Sequence, residues 1–301
     1  MTRCLLLIAI LAGAAGTQVQ QPLFRARTEL VRVDVLVTDD GAPVTGLSAA
    51  DFEVRDKGVR QRVTAAGAVD AVQLGVVLDV SASMTGDRLA IARKATTDLL
   101  SQLRREDRFA VVAFGDQVGR VAEPGASVAQ VAAGLERMRA GGSTALLDGT
   151  YAGILEADGG PGPKLLLVMT DGRNNASWLP ASAVIDTARR HETVIYPVAV
   201  EIDTAWHRDV SPIHKTSDTV ALLLLMANET GGRYVKAEWD SRLGETFQQI
   251  LREYRQRYIL TFTPEGVQTG DGWHALEVKV KRGGALVRAR SRYWAGGKGE
   301  L

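Results

Sequence analysis

The chain is nearly without cysteine: Cys4 is the single one in 301 residues. That excludes an internal disulfide framework and any zinc site built on several cysteines. Histidine is also scarce, with His191, His207, His214 and His274 scattered along the chain. A charge excess is missing. Thirty-six basic residues oppose 35 acidic ones, for a formal charge of +1. Nothing in this balance steers the chain toward nucleic acid. A membrane-spanning apolar run is missing as well. The uncharged and mostly apolar stretch Cys4–Ala15 (CLLLIAILAGAA) would extend about 18 Å as a helix, short of a hydrocarbon core of about 30 Å. What is present is ordinary for a soluble globular protein: 46% hydrophobic and 24% charged residues, which excludes wholesale disorder.

The apolar stretch has a different reading. Arg3 precedes it, small residues end it, and Ala12-Gly13-Ala14 fits the small-x-small pattern of a signal-peptide cleavage site. Residues 1–16 are therefore expected to be a removed signal peptide. Cys4 lies before the apolar core, so a lipid-attachment box is not supported. The remaining chain is expected to be exported, periplasmic or secreted, without a thiol and without a transmembrane segment.

Three regions differ in their periodicity. Val31, Val33, Val35 and Val37 are apolar, with Arg32 and Asp34 between them, the two-residue period of a half-buried strand. Short strands are expected over 51–55 and 61–65. From about Val72 the rhythm becomes strand, helix, strand, helix. The runs LGVVL (74–78), FAVVAF (109–114), LLLVM (165–169) and VIYPVAV (194–200) are apolar almost throughout, as parallel strands covered on both faces require. Helices are expected over 89–103, 128–138, 147–156, 181–190, 220–227 and 243–254, with a short strand at 233–235. Such alternation implies a doubly wound, mostly parallel α/β sheet with helices on both faces. From Tyr258 the two-residue period returns, at 258–263 and 276–280, and then along one strand through Val287, Ala289, Ser291 and Tyr293. Two separate sheets of about 40 residues each would be hard to stabilise. The expected organisation is therefore one β-sandwich, made from residues 24–70 and 258–296, with the α/β domain (71–257) inserted into it.

In an open α/β sheet, ligands bind where strands end and helices begin. Three loops there are notable. The first central strand ends in Asp79-Val80-Ser81-Ala82-Ser83, the strand 165–169 ends in Thr170-Asp171-Gly172, and Gly141-Gly142-Ser143-Thr144 opens a helix between them in sequence. Each alone is an ordinary cap or turn. Together they bring two carboxylates and several hydroxyls to one sheet edge. Oxygen donors of this kind suit Mg²⁺, Mn²⁺ or Ca²⁺ rather than zinc or copper. Carboxylates bridged through water would balance the charge, leaving weak hydroxyl donors in direct contact. The ion would then stay electrophilic, with a position for a partner's carboxylate.

These residues resemble the metal-ion-dependent adhesion site (MIDAS) of a von Willebrand factor type A (VWA) domain, whose Rossmann-like fold the region from about Val72 to Tyr254 is similar to. The resemblance implies Ser81, Ser83 and Thr144 as direct or near-direct ligands. It implies that Asp79 and Asp171 act through water or as anchors behind them. None of the five departs from the family pattern. Arg173 adds a positive charge at the rim, where it either selects an acidic partner or is simply solvated. The flanks, Val33–Gly58, Tyr258–Pro264, Asp271–Arg282 and Val287–Ala295, resemble the bacterial VWFA-related domain family common in acidobacteria.

Other readings are weaker. Leu147-Asp148-Gly149-Thr150 lacks the first aspartate of a phosphatase loop, and GGPGPK (159–164) lacks phosphate-loop spacing. No G-x-S-x-G elbow occurs. His207 and His214 lie in a polar stretch and are expected to be exposed. The leading function is a metal-dependent module that binds an exposed Asp or Glu of a protein partner. The alternative is an envelope scaffold whose metal is only structural. A metal-dependent hydrolase would need a general base, and no convincing one is found.

Overall fold

The computed structural model describes residues 30–160, 162–171, 173–200, 216–240, 242–270 and 272–296. The expected signal peptide and the stretch with His207 and His214 lie outside the described residues.

The first antiparallel strands are β1 (Val31–Asp39), β2 (Ala42–Pro43), β3 (Phe52–Asp56), β4 (Val59–Gln61) and β5 (Val63–Ala68). The alternating region follows as β6 (Gln73–Asp79), α1 (Asp87–Leu100), β7 (Arg108–Phe114), β8 (Val118–Arg120), α2 (Val128–Arg137), α3 (Leu146–Ala157), β9 (Lys164–Thr170), α4 (Ala181–Arg190), β10 (Thr193–Val200), α5 (Thr216–Thr230), β11 (Val235–Ala237) and α6 (Leu243–Tyr254). The chain then returns to strands, with β12 (Tyr258–Phe262), β13 (Trp273–Val280), β14 (Leu286–Arg288) and β15 (Arg292–Trp294).

The apolar runs form the centre of a sheet ordered β11-β10-β9-β6-β7-β8. Its strands are parallel except β8, which pairs antiparallel to β7. Alternate residues of each strand serve opposite faces, which is why every position is apolar. Leu74, Val76 and Leu78 of β6 pack with α1, α2 and α6, through residues such as Leu99, Leu135 and Phe247. Val77 of β6 and Leu166 and Val168 of β9 pack with α3, α4 and α5, through Ile154, Ile185 and Leu223. The α/β fold is thus covered on both faces. Helix α3 lies very close to the sheet: a Cβ built on Gly153 would stand 2.2 Å from Cγ2 of Val77.

Strands from the two ends of the chain pair with each other. β12 runs antiparallel to β1, matching Val31 with Phe262 and Val35 with Tyr258. β13 runs antiparallel to β3. One sheet has the order β14-β1-β12-β5 and another β15-β13-β3-β4. Both contribute to one apolar core that includes Val33, Val35, Phe52, Leu260, Phe262 and Tyr293. Within it, the buried Asp56 carboxylate accepts from the Tyr293 hydroxyl at 2.5 Å and pairs with Nδ1 of His274 at 2.8 Å.

Four local features depart from the periodic reading. Strand β8 is three residues long, too short for periodicity to register. Helix α5 begins at Thr216 and α1 stops at Leu100, end shifts of the ordinary kind. The last strand is two strands. β14 pairs with β1 and β15 with β13, and between them Arg290 turns inward to 8% exposure. Its guanidinium donates to the backbone oxygens of Arg32 (2.6 Å) and Arg189 (3.1 Å). A buried guanidinium needs such acceptors, and reaching them interrupts the strand. Asp34, on the polar side of β1, is also buried, because that side faces Arg257 at the start of β12. Arg257 is 1% exposed and donates to the Tyr196 hydroxyl at 3.0 Å and to the Gly231 oxygen.

Candidate metal centre

Parallel strands deliver their C-terminal ends to one edge, and β6 and β9 are neighbours in register (Leu78 opposite Met169). Asp79 and Thr170 therefore end side by side. Asp79 is fully buried, and each of its carboxylate oxygens is occupied. Oδ1 accepts from the Ser81 amide at 2.9 Å and Oδ2 from the Thr170 hydroxyl at 3.0 Å. The chain then makes a tight turn over Ala82–Met84. This brings the hydroxyls of Ser81 and Ser83 to 3.1 Å from each other.

The loop before α3 is tied to this turn from both sides. The Gly141 amide donates to Val80 O at 2.9 Å, and the Ala82 amide donates to Gly142 O at 3.1 Å. Gly142 has φ +73°, and a Cβ there would lie 2.7 Å from Cγ of Asp116. Backbone conformation and space both require glycine. Thr144, next in the loop, is 2% exposed. Its amide donates to Oδ1 of Asn175 at 2.8 Å, while its oxygen accepts from the amides of Asn175 (3.0 Å) and Ala176 (3.2 Å). The segment following Asp171 is thereby fastened to Thr144.

Asp171 is half-buried, and its Oδ1 is buried with no hydrogen-bond partner. Such an atom is costly unless something satisfies it. Burial pushes the Asp79 carboxyl up to about 6, and the nearby charge of Asp171 adds to the rise, against hydrogen bonds from Ser81 and Thr170. Two carboxylates at one edge are in an environment that favours a cation between them. The donor set is oxygen only. Among the described residues no group of three or more His, Cys, Asp or Glu side chains is placed to hold an ion. The oxygen chemistry, the unpartnered Oδ1 and the raised carboxyl fit a hard divalent ion.

Arg173 is exposed. All six residues singled out in sequence sit on the loops of this one edge. Three contributors were not foreseen. Thr170 was visible only as part of T-D-G, although it is the donor to Asp79. Asn175 has no signal in the sequence for this role. Asp116 had no signal at all. A cavity of about 360 Å³ lies elsewhere, lined by the N-terminal ends of β6 and β7 at Gln73 and Arg108.

The family model for the von Willebrand factor type A domain matches residues 74–173. An uncharacterized protein of Synechocystis sp. is 35% identical over 110 residues, covering 34% of this chain and 26% of that protein. Among solved structures, proximal thread matrix protein 1 from the mussel byssus, with a zinc-occupied MIDAS motif, superposes with TM-score 0.51 at 17% identity, covering 66% of this chain and 48% of that one. A von Willebrand factor type A protein from Catenulispora acidiphila has TM-score 0.48 at 16% identity, covering 90% of this chain and 74% of that one. The chain spans about a quarter of its curated relative and about half of the mussel protein. The stretch from residue 74 to residue 173 is matched as a von Willebrand factor type A domain, and its α/β fold is of that type.

Proposed function

We propose that this chain is an exported, metal-dependent protein-binding module. Ser81, Ser83 and Thr144 would touch a divalent ion, with Asp79 and Asp171 holding it through water or from behind. The observation that carries this reading is the buried, unpartnered Oδ1 of Asp171, on the edge where Asp79 and the two serine hydroxyls converge. The ion would supply a positive charge with a coordination position open to an Asp or Glu of a protein partner. The chain's own part is to fix the donors. Thr170 and the Ser81 amide orient Asp79, and Asn175 orients Thr144.

Mg²⁺ is the ion the donor chemistry favours, with Mn²⁺ or Ca²⁺ as substitutes; the zinc of the mussel protein is that protein's. Binding rather than catalysis fits the absence of a recognisable general base in sequence. Export rests on the N-terminal apolar segment. The pairing of β1 with β12 and of β3 with β13 supports a split sandwich (24–70 with 258–296) as the frame that presents the inserted domain. The flanks support membership of the bacterial VWFA-related type.

Calorimetric titration of Mg²⁺, Mn²⁺, Ca²⁺ and Zn²⁺ into the wild type, Asp79→Ala and Ser83→Ala tests the site. Loss of binding in the variants is expected; equal binding in all three, or in none, overturns it. Capture from envelope extracts with and without EDTA then tests the role of the ion. Partners retained after chelation would favour the alternative, a scaffold whose metal only stabilises its loops.

A further inference from the structure

Trp178 is 94% exposed, and the next most exposed large apolar side chain among the described residues is Leu286, at 65%. Its backbone is nonetheless fixed. The Trp178 amide donates to the Asp148 carboxylate at 3.0 and 3.2 Å, and the Leu179 amide donates to it at 2.9 Å. Ser177 accepts from the Leu147 amide at 2.9 Å and donates to Asn174 at 2.5 Å. Leu179 is half-buried against the α3–α4 side of the core. Asp148 and Leu147 belong to the first turn of α3, which Thr144 precedes. The same segment carries Asn175, which positions Thr144. The indole is thus displayed from a fixed backbone on the loop that shapes the candidate metal centre.

An exposed aromatic ring on a fixed backbone has only two side-chain torsions to order on contact and offers a large apolar face, which is why such rings anchor interfaces. We propose that Trp178 is the second anchor of the partner. It would take an apolar side chain that lies beside the acidic residue held at the metal. This deepens the metal-binding reading and rests on it. The indole presents an almost fully exposed apolar face, so the contact that matches it is an apolar side chain. The partner is therefore a protein segment in which Asp or Glu stands at a fixed offset from Leu, Ile, Phe or Pro.

The test is selection of short peptides from a randomised display library, with Mg²⁺ and with EDTA, on the wild type and on Trp178→Ala. Mg²⁺ titration of the variant serves as the folding control, and it is expected to match the wild type. Both proteins should enrich acidic residues in Mg²⁺ alone. Only the wild type should also enrich an apolar residue at a fixed offset. Its best peptide should bind about tenfold more weakly to Trp178→Ala and shift the Trp178 emission to the blue. Acidic selection with no apolar offset, or with the same offset in both proteins, overturns the role of Trp178 and leaves the metal reading intact. Absence of metal-dependent acidic selection from both proteins overturns the metal reading, and this inference with it.

Discussion

Oγ1 of Thr170 donates to Oδ2 of Asp79 at 3.0 Å, joining the ends of two adjacent parallel strands. Both side chains are fully buried, so this bond has no water to replace it. Thr170→Val would leave a buried carboxylate oxygen without its donor, a loss of about 1–3 kcal/mol. Denaturant unfolding should show that loss, and Thr170→Ser should recover most of it. Because the Thr170 bond lowers the Asp79 carboxyl, the valine variant should also bind metal more weakly at neutral pH.

Protons and the ion compete at Asp79. Burial and Asp171 push its carboxyl up to about 6 in the metal-free protein, and a cation requires the ionised form. Metal affinity should be level above that value and fall as pH drops through it, by about tenfold per pH unit for one proton. Calorimetry across this range checks it. An affinity unchanged down to the ordinary carboxylate range would remove Asp79 from the site.

Asp34 makes a separate pH prediction. Burial raises its carboxyl above the usual range, although Arg32 and Arg257 pull it down. Its ionisation therefore opposes folding. That penalty is present at neutral pH and is released as pH falls through the raised value toward the unfolded one. Asp34→Asn should be the more stable protein at neutral pH and lose that advantage in acid. Thermal melts of both proteins across this range read the crossover.

Much of this arrangement is legible in the chain. The apolar runs of β6, β7, β9 and β10 mark doubly covered parallel strands, because a buried strand has no polar face. The spacing of Asp79, Ser81 and Ser83 marks a loop at a strand end. What is not legible depends on distant contacts. Asp148 reads as a helix-start residue, yet its carboxylate serves the amides of Trp178 and Leu179. Asp34 and Arg290 fall on polar stripes, yet both are buried, because those stripes face other parts of the protein and not solvent. Periodicity reports which residues share a face. It does not report what covers that face.

Gly153 illustrates the same point as a prediction. Alanine normally improves a helix over glycine by about 1 kcal/mol. Here its Cβ would stand 2.2 Å from Val77. Gly153→Ala should instead destabilise, by about 1–3 kcal/mol for an overpacked core. A rise in melting temperature would contradict the close seating of α3 on β6.

The most direct measurement is anomalous diffraction from crystals soaked in MnCl₂, recorded at the manganese edge. The account predicts one strong peak within bonding reach of the hydroxyls of Ser81, Ser83 and Thr144 and beside Oδ1 of Asp171. It also predicts no such peak in Asp79→Ala. A peak elsewhere, or none at this edge under conditions where calorimetry shows binding, would contradict it.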